Sequence, residues 1–193
     1  KGQTTALRVR SASGGLVKLK ALALRGTVDL KVGEKGILVV NAIPLEDYLV
    51  AVLGCEMPPQ FPLEALKAQA VAARTYAVSR KIDSFGRSYH LGSTVLSQVY
   101  GGAGREDTRT REAVVATTGE VLTYDLTPIE AYFHSSCGGQ TESGRTALGR
   151  DLPYLQSVEC PCGHEGWKPD RHDRSSKSSD SFRLLLTSTL VEC

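Results

Sequence analysis

Aromatic side chains are scarce: Phe, Tyr and Trp make up 6% of the 193 residues, with a single Trp. Unpaired nucleic-acid bases stack on such rings, so the scarcity argues against a single-strand binding platform. An excess of one charge is missing too. Lys plus Arg total 23 and Asp plus Glu 21, a formal net charge of +2, which excludes a massive basic field for holding nucleic acid. No apolar run approaches the ~20 residues of a membrane-spanning helix. There is no Walker A loop, and Gly101-Gly102-Ala103-Gly104 lacks dinucleotide spacing and reads as a turn. Neither a Gly-x-Ser-x-Gly elbow nor a His-Glu-x-x-His helix occurs. Cysteines number five, too few for a disulfide scaffold, and an odd count leaves at least one sulfur outside any pairing. The chain starts at Lys1 with no secretory leader, so it reads as an excised piece of a longer protein.

What is present is globular: 41% hydrophobic and 23% charged residues. The length suits one domain, residues 1–193, able to bury roughly 70% of its unfolded surface. Thr27 to Val32 alternates at period two, and Gly36 to Val40 is a β-branched run; both read as strands, with Gly14-Gly15 as a hairpin turn between earlier short ones. Residues 1–24 form an N-terminal β segment. Pro44, Glu46 and Asp47 then open a helix that Pro58-Pro59 ends. A second, longer helix starts near Pro62, its face built from Leu63, Leu66, Ala70, Ala73 and Ala77. Residues 84–110 read as an inserted lobe, mostly loop with a short strand around Val99. Asp107 can cap a third helix ending near Gly119. Strands are expected over 120–124 and 129–133, a Gly/Ser loop over 135–153, a polar basic linker over 170–181, and a last strand at Leu184-Leu185-Leu186. The expected class is α+β: a mixed β framework on a long central helix.

Three sets of residues have chemistry to offer. Glu56 stands at a helix end beside Met57, Pro58 and Pro59, where an apolar setting raises a carboxyl's pKa and suits it to donate a proton. On position alone, an ordinary solvated carboxylate is the commoner role. Lys67, Gln69, Arg74 and Tyr76 on the long helix fall seven apart in pairs and would line a groove for a polar polymer; a plain solvated helix face competes with that. His134-x-x-Cys137 and Cys160-x-Cys162-x-His164 bring together the donors zinc prefers. A disulfide from Cys137 to Cys160 or Cys162 stands equally well beside a zinc site, with inert buried thiols behind both. Cys55 and Cys193 have no evident partner.

Asn41 to Leu49, Glu56-Met57-Pro58, and Pro62 to Ala77 with its Lys-Ala-Gln-Ala-Val-Ala-Ala-Arg-Thr-Tyr-Ala core together resemble the stage II sporulation protein D family, also called the amidase-enhancer domain. The likeness runs on through Gln98 to Gly102, Thr118 to Leu122, Ala131 to Gly139 and Leu152 to Leu155, spanning about residues 25–190. The resemblance implies an extracytoplasmic, cell-wall protein of bacteria. It implies a lytic transglycosylase that cuts the β-1,4 bond from N-acetylmuramic acid to N-acetylglucosamine in peptidoglycan glycan strands and leaves a 1,6-anhydro end. Glu56 takes the place of the catalytic glutamate, acting as acid and then as base, with no cofactor required. Gln69, Arg74, Tyr76, Gln98, Tyr100, His134 and Ser136 are the expected glycan-binding residues. The alternative implied by other relatives is a non-catalytic enhancer of a cell-wall amidase, or a wall-binding module. Some members look as if they bind zinc through cysteines just before the Gln-x-Tyr motif; here His90 to Ser97 contains none, which leaves Cys137, Cys160 and Cys162 as the metal candidates. Cys55 replaces the small hydroxyl residue that many members carry before the glutamate.

Overall fold

A computed structural model describes residues 6–33, 36–94, 96–134, 137, 139–160 and 183–184. The chain is α+β and divides into two compact units, Lys1–Val121 and Leu122–Cys193.

In the first unit β1 (Ala6–Arg10), β4 (Thr27–Gly33) and β5 (Gly36–Ala42) form an antiparallel sheet in the order β1-β4-β5. The two strands read from alternation and β-branching are both there. The register sets Val9, Val28 and Asn41 abreast, and Leu7, Leu30 and Val39 in the next row of the same face. Val28 is the buried member, and Asn41 closes that row next to the helices. The Gly14 turn does not join a hairpin. Its N–H reaches back to the Ser11 carbonyl, but β1 pairs with β4, while β2 (Val17–Leu19) pairs with β3 (Leu22–Leu24). The apolar face of β4 overrides the local turn in choosing the partner.

Three helices follow: α1 (Leu45–Glu56), α2 (Leu63–Asp83) and α3 (Thr108–Ala116). Pro44 and Pro62 stand at the N-caps, and Glu46, Asp47 and Glu64 occupy the first turns, where the helix field favours them. Six consecutive residues of α1, Tyr48 to Leu53, are buried. A helix apolar all round is an enclosed one, so α1 lies deeper than the longer α2. Burial of Leu49, Val50, Val52 and Leu53 contributes about 1.5–3 kcal/mol each. The predicted small face of α2 is confirmed: Ala70, Ala73 and Ala77 are buried and let its neighbours approach closely. Asp107 caps α3 through a capping box, accepting from the Arg109 N–H at 2.8 Å while its own N–H donates to Thr110 Oγ1 at 3.2 Å.

Between α2 and α3 the described chain runs as loop, then a 3-10 turn at Ala103–Arg105. The short strand expected around Val99 is not formed, because the Val99 N–H goes to a side chain instead of a ladder.

In the second unit β6 (Thr123–Tyr124) and β7 (Thr127–Pro128) form a tight hairpin over Asp125 and Leu126, both with positive φ. It is shorter than the expected strands, since Pro128 has no N–H to extend the ladder. β8 (Phe133–His134) pairs instead with β9 (Arg183–Leu184), which places Leu184 in the expected last strand. The Gly/Ser stretch after 135 holds a five-residue helix, α4 (Gly144–Leu148), capped by Ser143 and ended by Gly149 at φ 69°. One turn is too short to show a helical period. The basic linker at 170–181 lies outside the described residues.

Candidate functional site at the end of the first helix

Glu56 is the last residue of α1. The chain turns extended at Met57, whose N–H still closes on the Leu53 carbonyl at 2.9 Å. No basic residue stands in the last turn of α1, so the negative end of the helix faces the carboxyl without a counter-charge. Burial pushes the Glu56 carboxyl above its ordinary value; one hydrogen bond, from the Val99 N–H to Oε1 at 2.9 Å, pulls part of the way back. Two arginines of this unit, Arg25 and Arg111, are engaged elsewhere. Arg25 grips Glu106 with two bonds of 2.6 and 2.8 Å, and Arg111 adds a third at 2.6 Å. The hydrogen bond from Arg25 is the main cause holding the Glu106 carboxyl below its ordinary value.

The loop that supplies Val99 is fastened on both sides. Gln98 is fully buried; its Oε1 accepts from the Tyr48 hydroxyl at 3.0 Å, and its Nε2 donates to the Ala73 carbonyl at 3.1 Å. One side chain thus ties the loop to α1 and to α2. The Tyr100 ring lies tilted on Tyr48 with centroids 5.3 Å apart, and its hydroxyl donates to Asn41 Oδ1 at 3.0 Å. Burial raises the Tyr100 hydroxyl to about 12, so it stays a neutral donor. Asn41 in turn donates to the Arg25 and Thr27 carbonyls, each at 2.9 Å. Next to Glu56, burial pushes the Cys55 thiol up, and the Gly101 N–H bonded to it pulls it down.

Two glycines make this fit. A Cβ on Gly54 would lie 1.8 Å from the Arg105 carbonyl oxygen, so only glycine lets the 3-10 turn rest on α1. Gly102, at φ 70°, would bring a Cβ to 2.6 Å from the Ala23 carbonyl oxygen.

The sequence-predicted residues separate clearly. Glu56 and Tyr100 are half-buried around the end of α1. Gln69, Arg74, Tyr76 and Gln98 are buried inside the unit; of these, Gln98 stands next to Val99, whose N–H meets Glu56. Arg74 is 1% exposed. It donates twice to Glu46, at 3.0 and 2.7 Å, and also to Thr117 Oγ1 and to the carbonyls of Val114 and Glu120. Both amide atoms of Gln69 are buried without a hydrogen-bond partner among the described residues. Tyr48, Asn41 and Gly54 were not foreseen as part of the site. Asn41 and Tyr48 stand in the motif quoted above, but nothing in their spacing points to Gln98 or Tyr100.

In the second unit His134 lies in β8 opposite Arg183; Ser136, Cys162 and His164 fall outside the described residues. Cys160 is disulfide-bonded. The Gln140↔Glu159 bridge sets the Cys160 N–H on the Gly139 carbonyl, two residues past Cys137. A sulfur in a disulfide offers no thiolate to zinc, so Cys160 is not a zinc ligand in this state. Among the described residues no three His, Cys, Asp or Glu side chains are placed to hold a metal ion.

Residues 33–124 match the family model described as stage II sporulation protein. The chain is 36% identical over 174 residues to stage II sporulation protein D of Bacillus subtilis, covering 82% of this chain and 50% of that protein. It belongs to the stage II sporulation protein D family. An amidase enhancer of Bacillus subtilis is 42% identical over 107 residues, 55% of this chain and 14% of that one. An uncharacterized protein of Brachyspira hyodysenteriae is 40% identical over 122 residues, 63% and 33% of the two chains. The chain thus spans at most half the length of these curated relatives. The stretch matched by the family model holds Glu56, Val99, Gln98, Tyr48, Tyr100 and Asn41; Arg25 and Thr27, and also His134 and Ser136, lie outside it.

Proposed function

We propose that this member of the stage II sporulation protein D family acts outside the cytoplasmic membrane on the bacterial cell wall, as a lytic transglycosylase of peptidoglycan glycan strands. The carrying observation is Glu56: a half-buried carboxyl with a raised pKa, held by one backbone amide. Among the described residues no ion pair neutralises it and no second carboxylate acts on it. A hydrolytic glycosidase needs two carboxyls. A transglycosylase that uses the sugar's own C6 hydroxyl needs one, because a single group gives a proton and then takes one.

The reaction begins with Glu56 protonated. Its proton passes to the glycosidic oxygen as the C1–O bond of N-acetylmuramic acid breaks, and N-acetylglucosamine leaves as an alcohol. Glu56 is now a carboxylate facing the oxocarbenium-like sugar. The C6 hydroxyl attacks C1 and gives its proton back to Glu56, closing the 1,6-anhydro ring. Burial serves the first half by keeping the acid protonated, and the Val99 amide serves the second by stabilising the carboxylate. Neither half requires a cofactor.

The test is digestion of purified glycan strands, with and without stem peptides, followed by mass spectrometry for 1,6-anhydro-muramyl ends. Such ends from wild type and not from Glu56→Gln are expected; identical product profiles from both would sink this reading. A relative named as an amidase enhancer favours a second reading, in which the chain stimulates a cell-wall amidase. Stimulation of such an amidase that survives Glu56→Gln would support it.

A further inference from the structure

Glu56 accepts the Val99 N–H through Oε1. A carboxyl oxygen that receives an amide hydrogen is the poorer place for the acid's own proton, which is thereby directed to Oε2. The orientation of the acid then depends on where the Val99 amide is kept, and the group that keeps it is the neighbouring Gln98. Its amide is the buried link to the Tyr48 hydroxyl on α1 and the Ala73 carbonyl on α2. Both partners sit in helix interiors, so the loop is referenced to the two most deeply buried elements of the unit.

We infer that Gln98 is a positioning residue: it holds the Val99 N–H on Oε1 of Glu56 and so commits Oε2 to proton transfer. The inference rests on Glu56 being the acid of the proposed reaction. Gln98 touches no reacting atom; it is fully buried and acts through Val99. It was expected to bind glycan, and the geometry assigns it a different task.

The experiment substitutes Gln98→Met, which keeps side-chain length and burial but removes both hydrogen bonds, and follows the Glu56 carboxyl by carbon-detected NMR titration. Loss of the Val99 bond removes a stabiliser of the carboxylate while burial remains. The Glu56 titration is expected to move up by about one unit, with faster hydrogen exchange at the Val99 amide. In glycan digestion kcat is expected to fall about tenfold, with KM little changed, and the alkaline limb of the pH profile to move up with the titration. If Gln98→Met does not fold, Tyr48→Phe deletes only the hydroxyl that serves Gln98 and should move Glu56 the same way by less. An unmoved Glu56 titration in a folded variant overturns the inference. The titration needs no turnover, so a wild-type protein that makes no anhydro ends would end the transglycosylase reading without touching the NMR result.

Discussion

Glu56 of the first unit and Glu130 of the second are carboxyls supported in opposite ways. Glu130 of the second unit is 7% exposed. Arg150 grips both of its oxygens, and the Tyr132 hydroxyl donates to Oε2 at 2.7 Å. The pair holds its charges: Glu130 is the main reason the Arg150 guanidinium is raised above its already high ordinary value. Glu56 has less burial and far less help, a single amide and no cation among the described residues. A carboxyl with an arginine is committed to staying ionised, which suits structure. A carboxyl with burial and one amide is balanced between its two protonation states, and that balance is what acid-then-base chemistry needs.

The contrast can be broken most sharply at Glu56 itself. Glu56→Gln removes the proton donor but keeps shape and burial, so anhydro-end formation should fall by about 10²–10⁴-fold, while the melting temperature does not drop. Second in size is Gly54→Ala. Alanine favours a helix by up to about 1 kcal/mol, yet its Cβ would collide with the Arg105 carbonyl. Overpacking should win, with a net loss of about 1–3 kcal/mol in urea unfolding and reduced activity from a displaced loop. Unchanged stability would mean that the 3-10 turn does not rest on α1. Arg150→Met tests the opposite pole. It strands the Glu130 carboxylate, which should cost about 1–2 kcal/mol of stability, the lower part of the range for a lost charged bond because Arg150 itself reaches water.

The smallest effect is in pH dependence, and its sign separates the two kinds of carboxyl. Glu56 is raised in the folded state, so its ionisation works against folding. Its unfavourable contribution is absent below the unfolded value of 4.5 and develops as pH rises through the folded one. Glu56→Gln should therefore gain on wild type over that window and hold the gain above it. Glu106, lowered by Arg25 and Arg111, behaves the other way. Its contribution is present above 4.5 and is lost as pH falls through the lowered folded value. A Glu106→Gln variant should lose stability relative to wild type at neutral pH and converge with it in strong acid. Unfolding curves from pH 3 to 8 decide both.

The helices were legible because each announces itself locally. Prolines start α1 and α2 and stop α1, small residues repeat along α2, and Asp107 caps α3. Two strands were legible for the same reason, one from alternation and one from a β-branched run. Pairing was not, since β1 must travel past a hairpin to reach β4, and that choice is made by a shared apolar face. In the site, Glu56 stood out by its apolar, proline-bound neighbourhood. Its supports did not, because Tyr48 and Gln98 are 50 residues apart and Glu56 and Val99 are 43 apart. Arg74 and Gln69 misled because a helical spacing reports which residues share a face, not whether that face meets water or protein.

Arg74 carries a further consequence, for the order in which the chain becomes a protein. Its guanidinium is satisfied by groups 28, 40, 43 and 46 residues away in sequence. During synthesis its carboxylate partner Glu46 is already present when α2 forms, but the Val114, Thr117 and Glu120 acceptors are missing until the polypeptide has emerged past Glu120. Burying that ion pair early would leave guanidinium N–H groups without acceptors, which is costly, so the contact of α1 with α2 stays open until α3 arrives. The three helices are expected to lock in one late step, and a chain cut short before Glu120 should yield a loose, protease-sensitive product and not a smaller native one.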